Sequence, residues 1–235
     1  MLTDATGVRE RLWLLAHDDA YPTDIRTQID VRALGIGLVA AALADLLAHN
    51  LIQIRGGMIY PLAGGMEPTS DLIAAGILAA IREDGASRLT DVLRGARADI
   101  SGVRLNPYVG VYQRTRAALV ATGVLIEHRR TLRPTRYRLA DRHTIARHRN
   151  HFNSRLVRQH IDSDSGTDCL CAFVWALNIH RALLMPYPPG EADAILLDIT
   201  ERIPARAGPQ HPLTVVPQLA RSVRYAVGDL ATAAF

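Results

Sequence analysis

The stretch from Ile36 to His49, IGLVAAALADLLAH, constrains this chain more than any other, because it is apolar almost all the way round a helix. A helix with one polar stripe can lie on a surface, but one without a polar stripe must be enclosed on most faces, so the fold is built around it. Asp45 is the single charge in the stretch and needs a partner or an outlet to water. Asn50 ends the helix. Neither this run nor any other reaches the roughly 18 to 20 apolar residues of a membrane span, and the N-terminus has no signal-peptide pattern.

A second enclosed helix is predicted over 168–185, CLCAFVWALNIHRALLMP with Asp168 as its cap, its apolar run interrupted by Asn178 and His180. Periodic segments surround these two. Thr3 or Asp4 caps a helix through Val8, Leu12 and Leu15, and Thr69 or Ser70 caps one through Ile73, Ile77 and Ile81 that stops at Asp84-Gly85. A short helix covers Leu89 to Leu93. Pro188-Pro189-Gly190 opens a helix whose inward residues are Ala194, Leu197 and Ile203, and a last helix carries Leu219, Val223, Ala226, Val227 and Leu230. Asp18 to Gly35 has no sustained period and reads as a long surface loop. With 235 residues and 49% hydrophobic content there is ample material for a core. The expected fold is mainly α: a single compact domain over 1–235 with a buried central helix, peripheral amphipathic helices and protruding β-hairpins.

One local order occurs twice. LLAHNLIQIRGGMIYPL and LVATGVLIEHRRTLRPTRYRL each run helix end, tight corner, strand, turn and a strand containing Tyr-x-Leu. Gly56-Gly57 supplies the first hairpin turn; Gly123 supplies the second corner, with Val124 to Ile126 as one arm, Tyr137 and Leu139 in the other, and Pro134 in the connection. The preceding helix presents Ala117, Leu119 and Val120 as its apolar surface.

The second unit, 112–139, concentrates charge. Arg114, Arg116, Arg129, Arg130, Arg133, Arg136 and Arg138 are answered within it by Glu127 alone. The net charge is +4 and the pI about 9.4, and every one of the 27 basic residues is Arg. The guanidinium group is a permanently charged planar fork that matches phosphate oxygens, so a concentration of it on one helix and hairpin points to an anionic ligand.

Catalytic and metal chemistry find no foothold. There is no glycine-rich phosphate loop ending in Lys-Ser/Thr, no G-x-S-x-G, no H-E-x-x-H and no C-x-x-C. His143, His148, His151 and His160 have no carboxylate at ligand spacing among them and read as solvated. Cys169 and Cys171 point in different directions on a helix and read as reduced, buried thiols. The expectation is a cytoplasmic protein without enzymatic activity, cofactor or metal.

The order ERLWLLAHDD, LVAAALADLLAHNLIQI with its hairpin, RTRAALVATGVLIEHRR, RYRLAD, LCAFVWALNIHRALLMPYP and VRYAVGDLATAAF resembles the Golgi phosphoprotein 3 (GPP34) family over almost the whole chain. The block from Leu38 to Ile54 and the helix into Gly123-Val124-Leu125 carry most of it, and the all-Arg composition resembles an actinobacterial branch. The resemblance implies a peripheral membrane adaptor or scaffold that associates reversibly with the membrane surface and binds an anionic lipid of the phosphatidylinositol 4-phosphate kind. It further implies protein clients and self-association through the hairpin. Its phosphate-holding residues carry over to Arg114 and Arg116 on the basic helix, with Tyr21, Arg26 and Arg32 standing in for an aromatic residue and an Arg of the preceding loop. Arg129, Arg130, Arg133 and Arg136 would form the hairpin surface.

A second reading is open at this level. Helix, corner and two-stranded wing is also the grammar of winged-helix DNA-binding regulators, and the second unit has a basic wing.

Overall fold

The computed structural model describes residues 7–18, 24–63, 71–96, 106–130, 133–159, 164–183 and 185–232. Its centre is α2, Val31–Ala48, in which 14 residues from Ala33 to Leu47 are buried. The helix begins five residues earlier than the apolar run, because the Asp30 carboxylate accepts from the backbone N–H groups of Arg32 and Ala33 and so starts it inside the expected loop. At 18 residues it is long and apolar enough to cross a membrane, contrary to the expectation from Ile36 onward, but 78% of it is buried inside the fold. It is therefore the core helix that its all-round apolar surface requires.

α1 (Val8–Leu15) buries Leu12, Trp13, Leu14 and Leu15 against α2. Its cap is Gly7; Thr3 and Asp4 lie outside the described residues. The chain then forms a short ladder, β1 (His17–Asp18) with β2 (Arg26–Thr27), where a loop is expected. β3 (Ile52–Arg55) and β4 (Met58–Pro61) make the first hairpin, and β5 (Ser87–Arg88) joins it as a third strand on β4. Between them α3 (Leu72–Asp84) is capped by Asp71 rather than by Thr69 or Ser70, which lie outside the described residues, and it ends at Gly85 with φ 69°. α4 (Leu89–Gly95) follows, then α5 (Val111–Ala121), whose buried residues are Val111, Thr115 and Leu119. Ala117 is exposed, so the inward face is turned relative to the expected one, with a threonine in the core position.

The second hairpin, β6 (Leu125–Arg130) and β7 (Arg133–Leu139), pairs Glu127 with Tyr137 and His128 with Arg136. Pro134 falls inside β7 and not in the connection; a two-stranded ribbon leaves outward backbone positions where no ladder N–H is needed. α6 (Thr144–Val157) precedes α7 (Ser165–Ala176), the second enclosed helix. α7 starts at cap Asp164, not Asp168, and stops before Asn178, whose φ of 56° turns the chain into a 3-10 turn; the expected 168–185 helix is thus shifted toward the N-terminus. Asp168 is buried instead, between Arg155 of α6 at 2.7 Å and Arg206 of α8 at 3.2 Å. α8 (Pro189–Ala207) has Pro at its first position and buries Ala192, Ile195, Leu196, Ile199, Thr200 and Ile203, while Ala194 is exposed and Leu197 half-buried. α9 (Val216–Thr232) closes the core with Leu219, Val223 and Ala226.

The two helix-corner-hairpin units agree in backbone detail. After α2, Asn50 takes φ 56°, its N–H donates to the Leu47 carbonyl at 2.9 Å, and the Leu51 N–H donates to Leu46 at 3.0 Å. After α5, Gly123 takes φ 75°, donating to Val120 at 3.0 Å, and Val124 donates to Leu119 at 2.9 Å. Both are Schellman corners, which need a left-handed residue just past the helix. Each hairpin then closes on its corner, Leu62 N–H to Leu51 at 2.8 Å and Ala140 N–H to Val124 at 3.0 Å. Leu62 therefore corresponds to Ala140, and the shared Tyr-x-Leu is one residue out of structural register.

Candidate functional site

Arg114 and Arg116 stand two residues apart on α5, about 200° around a helix of 3.6 residues per turn, so the structure sends them to different places. Arg114 turns inward: its Nη1 donates to the Pro107 carbonyl at 2.8 Å, tying the preceding loop to the helix. Burial first, and then the nearby Arg9 charge, hold its pKa below the ordinary value. Arg9 is itself buried and bridges Asp71, at 2.7 and 2.8 Å, and Glu10. Beside this cluster Asp45 accepts the Val8 N–H at 3.4 Å, so the one charge of the apolar helix finds its outlet at the start of α1. Burial is the main cause that pushes the Asp45 carboxyl up to about 6.

Arg116 turns outward. Its guanidinium lies over the Tyr137 ring of β7, 4.1 Å from the centroid, with the Tyr112 ring at 5.7 Å. Tyr112 and Arg116 are one helical turn apart, a spacing that places side chains side by side. Behind Tyr112 the column continues inward through His17, centroids 5.7 Å apart, to Trp13, stacked on His17 at 3.6 Å. His17 Nδ1–H donates to the Trp13 carbonyl at 2.6 Å, which leaves Nε2 to accept from the Tyr112 hydroxyl at 3.0 Å. Burial lowers the His17 pKa to about 4; the Trp13 carbonyl opposes this and the Arg116 charge adds to it. At neutral pH the ring is uncharged, and a rigid aromatic column runs from the core to the arginine.

In front of Arg116 is a pocket of about 240 Å³ between α5 and the hairpin. Gln113, Arg116, Ala117 and Val120 line it from the helix, and Glu127, Arg129 and Tyr137 from the strands. Directly opposed residues of an antiparallel pair share a face, which puts Glu127 beside Tyr137. Arg129 is 84% exposed and holds Glu127 at 3.3 Å. Arg116 makes no ion pair among the described residues; its contacts are the two tyrosines.

The other expected arginines are placed as follows. Arg26 sits on β2 opposite Asp18, next to Ile25, whose N–H donates to the Tyr137 carbonyl at 2.9 Å, so β2 is stitched to the outer side of β7. Arg32 lies on its own helix cap Asp30 at 3.4 Å and does not line the pocket. Arg136 is exposed on β7, and Arg138 donates to His128 at 2.7 Å. Tyr21 lies outside the described residues, as do the side chains of Arg130 and Arg133. The sequence reading missed Glu127 and Tyr137 as pocket residues, although strand alternation puts Glu127 and Arg129 on one face.

This geometry offers a fixed cation, a polar rim and an apolar floor. Among the described residues, no three His, Cys, Asp or Glu side chains come together as metal ligands. For the winged-helix reading, the helix before the first hairpin is enclosed by the fold and cannot lie in a DNA groove, and α5 buries Val111, Thr115 and Leu119.

No curated protein matches the chain significantly. The family model described as Golgi phosphoprotein 3 (GPP34) matches residues 8–230, from the first residue of α1 into the last turns of α9, and the chain belongs to the Golgi phosphoprotein 3 family.

Proposed function

We propose that this protein is a non-enzymatic peripheral membrane adaptor whose α5–β6–β7 unit binds an anionic phospholipid headgroup of the phosphoinositide kind. The family is one of adaptors associated with membrane surfaces, and this supports the class of function. The observation that carries the headgroup reading is Arg116, an arginine without an acidic partner among the described residues, held by two tyrosine rings at a pocket on a segment with seven Arg against one Glu. A guanidinium oriented in this way presents its N–H edge to an oxyanion without first breaking an ion pair. Arg129 adds exposed charge at the pocket and Arg136 adds it on the other face of the ribbon, at about 1 kcal/mol per basic residue near an anionic surface. Arg114, bonded to a carbonyl, holds the helix and the preceding loop together and contributes field, not contact.

The test is co-sedimentation with vesicles containing or lacking phosphatidylinositol and its 4-phosphate, at low and high salt, beside duplex DNA. Binding that is salt-sensitive and falls about fivefold in Arg116→Ala, with the folded circular dichroism spectrum retained, is expected. Absence of binding to anionic vesicles at low salt would sink the proposal, and sequence-selective DNA binding would replace it.

A further inference from the structure

The pocket in front of α5 contains two opposite charges that do not meet. Glu127 and Arg116 both line it and both flank Tyr137, Glu127 as its cross-strand partner and Arg116 over its ring, yet no ion pair joins them. Arg116 is fixed by its two tyrosines. Glu127 is engaged by Arg129 of its own strand, an 84% exposed side chain, and a pair so open to water is weak and easily exchanged. Ala117 and Val120 add apolar surface to the helix side of the pocket, beside Arg116. A purely anionic ligand would use Arg116 but be repelled by Glu127. A ligand with an anion at one end and a hydrogen-bonding cation at the other satisfies both.

We infer that this pocket selects a phosphate ester carrying a primary amine, the phosphate on Arg116 and the ammonium on Glu127, and that Arg129, released from Glu127, turns to the phosphate. The inference rests on the membrane reading above and departs from it at the headgroup: the exposed arginines attract the anionic surface, and the pocket takes an amine-bearing phosphate ester there in place of a phosphoinositide. A phosphodiester lipid headgroup and a free phosphorylated amino alcohol share this chemistry.

The experiment uses the full chain and vesicles with a fixed fraction of phosphatidylglycerol, the remainder being either phosphatidylethanolamine or phosphatidylcholine. The two mixtures carry the same net charge, but the choline nitrogen has no N–H to donate. The expected result is about fivefold stronger association with the ethanolamine vesicles, the upper end of what one exposed ion pair contributes. In Glu127→Gln the preference disappears, while association with the phosphatidylglycerol/phosphatidylcholine vesicles rises because an acid has been removed from the basic surface. A wild-type preference of one, or a preference that survives in Glu127→Gln, overturns the inference and leaves the membrane reading in place. Free O-phosphoethanolamine, phosphocholine and inorganic phosphate are then titrated as competitors. Displacement by O-phosphoethanolamine at lower concentration than by the other two supports the assignment, and equal displacement by all three overturns it. If vesicles do not bind while free O-phosphoethanolamine does, the pocket chemistry stands with a soluble ligand and the membrane reading falls.

Discussion

Replacing Asp45 with asparagine separates two pH-dependent contributions that oppose each other in the wild-type protein. Asp45 has its pKa raised from 3.8 to about 6 chiefly by burial, and His17 has its pKa lowered from 6.5 to about 4 chiefly by burial. For Asp45 the folded state holds a proton that the unfolded state has lost, so its stabilisation is full below pH 3.8 and disappears as pH rises through 6. His17 does the reverse: between pH 4 and 6.5 the unfolded state holds the proton, so stability is gained as pH rises through that window. At about 1.4 kcal/mol per pH unit each contribution is about 3 kcal/mol. They cancel, and the wild-type protein should show little change from these two groups between pH 4 and 6. Asparagine keeps the carbonyl oxygen that accepts the Val8 N–H and removes the titration. Urea unfolding from pH 4 to 7.5 should then show Asp45→Asn equal to wild type near pH 4 and about 3 kcal/mol more stable above pH 6.5. Groups not coupled to Asp45, such as His180, whose pKa burial also lowers, are common to both proteins and drop out of the difference. A difference that does not vary with pH would refute the reasoning.

Three further outcomes follow from the packing. Gly37→Ala places a Cβ 2.4 Å from Cδ1 of buried Leu177, an overpacking cost of about 1–3 kcal/mol against roughly 1 kcal/mol gained in helix propensity; chemical denaturation should show a net loss, and in a double-mutant cycle the effect of Gly37→Ala should be smaller in the Leu177→Ala background. Arg155→Met removes the 2.7 Å partner of the buried Asp168 carboxylate and should cost about 3–5 kcal/mol, whereas Arg155→Met with Asp168→Leu should recover much of that in a double-mutant cycle. Gly123→Ala forces φ 75° on a residue with a Cβ and should lower stability by about 1–2 kcal/mol, without loss of α5 helicity by circular dichroism.

What could be read in advance was whatever depends on neighbours in sequence. The enclosure of α2, both corners, both hairpins and the stop at Gly85 all rest on local periodicity or on one residue's backbone freedom. What could not be read depends on partners far along the chain. Asp168 looks like a cap because it precedes the apolar run, and it is buried only because Arg155 and Arg206 converge on it from α6 and α8. Arginine is a residue type mostly found at the surface, yet Arg9 and Arg155 are each buried against carboxylates that periodicity does not locate. Other misses had a signal: Ile195, Ile199 and Ile203 repeat every four residues along α8 and mark its inward face better than Ala194 and Leu197. At the site, the two-residue spacing of Arg114 and Arg116 already divides them between faces, and Tyr112 one turn before Arg116 indicates which arginine has aromatic company.

The placement of α1 has a consequence for synthesis on the ribosome. Trp13 and Leu12 precede all their helical partners in the chain, for α1 packs against α2, α5, α6 and α7. Arg11 reaches Thr167 across 156 positions, and the His17 carbonyl waits for Arg149 across 132. At about 5–20 residues per second, α1 is made roughly ten to thirty seconds before its last partners exist. α1 thus waits for α7 before its packing is complete, and until α7 leaves the ribosome its tryptophan lacks part of the surface that buries it and is open to chaperones.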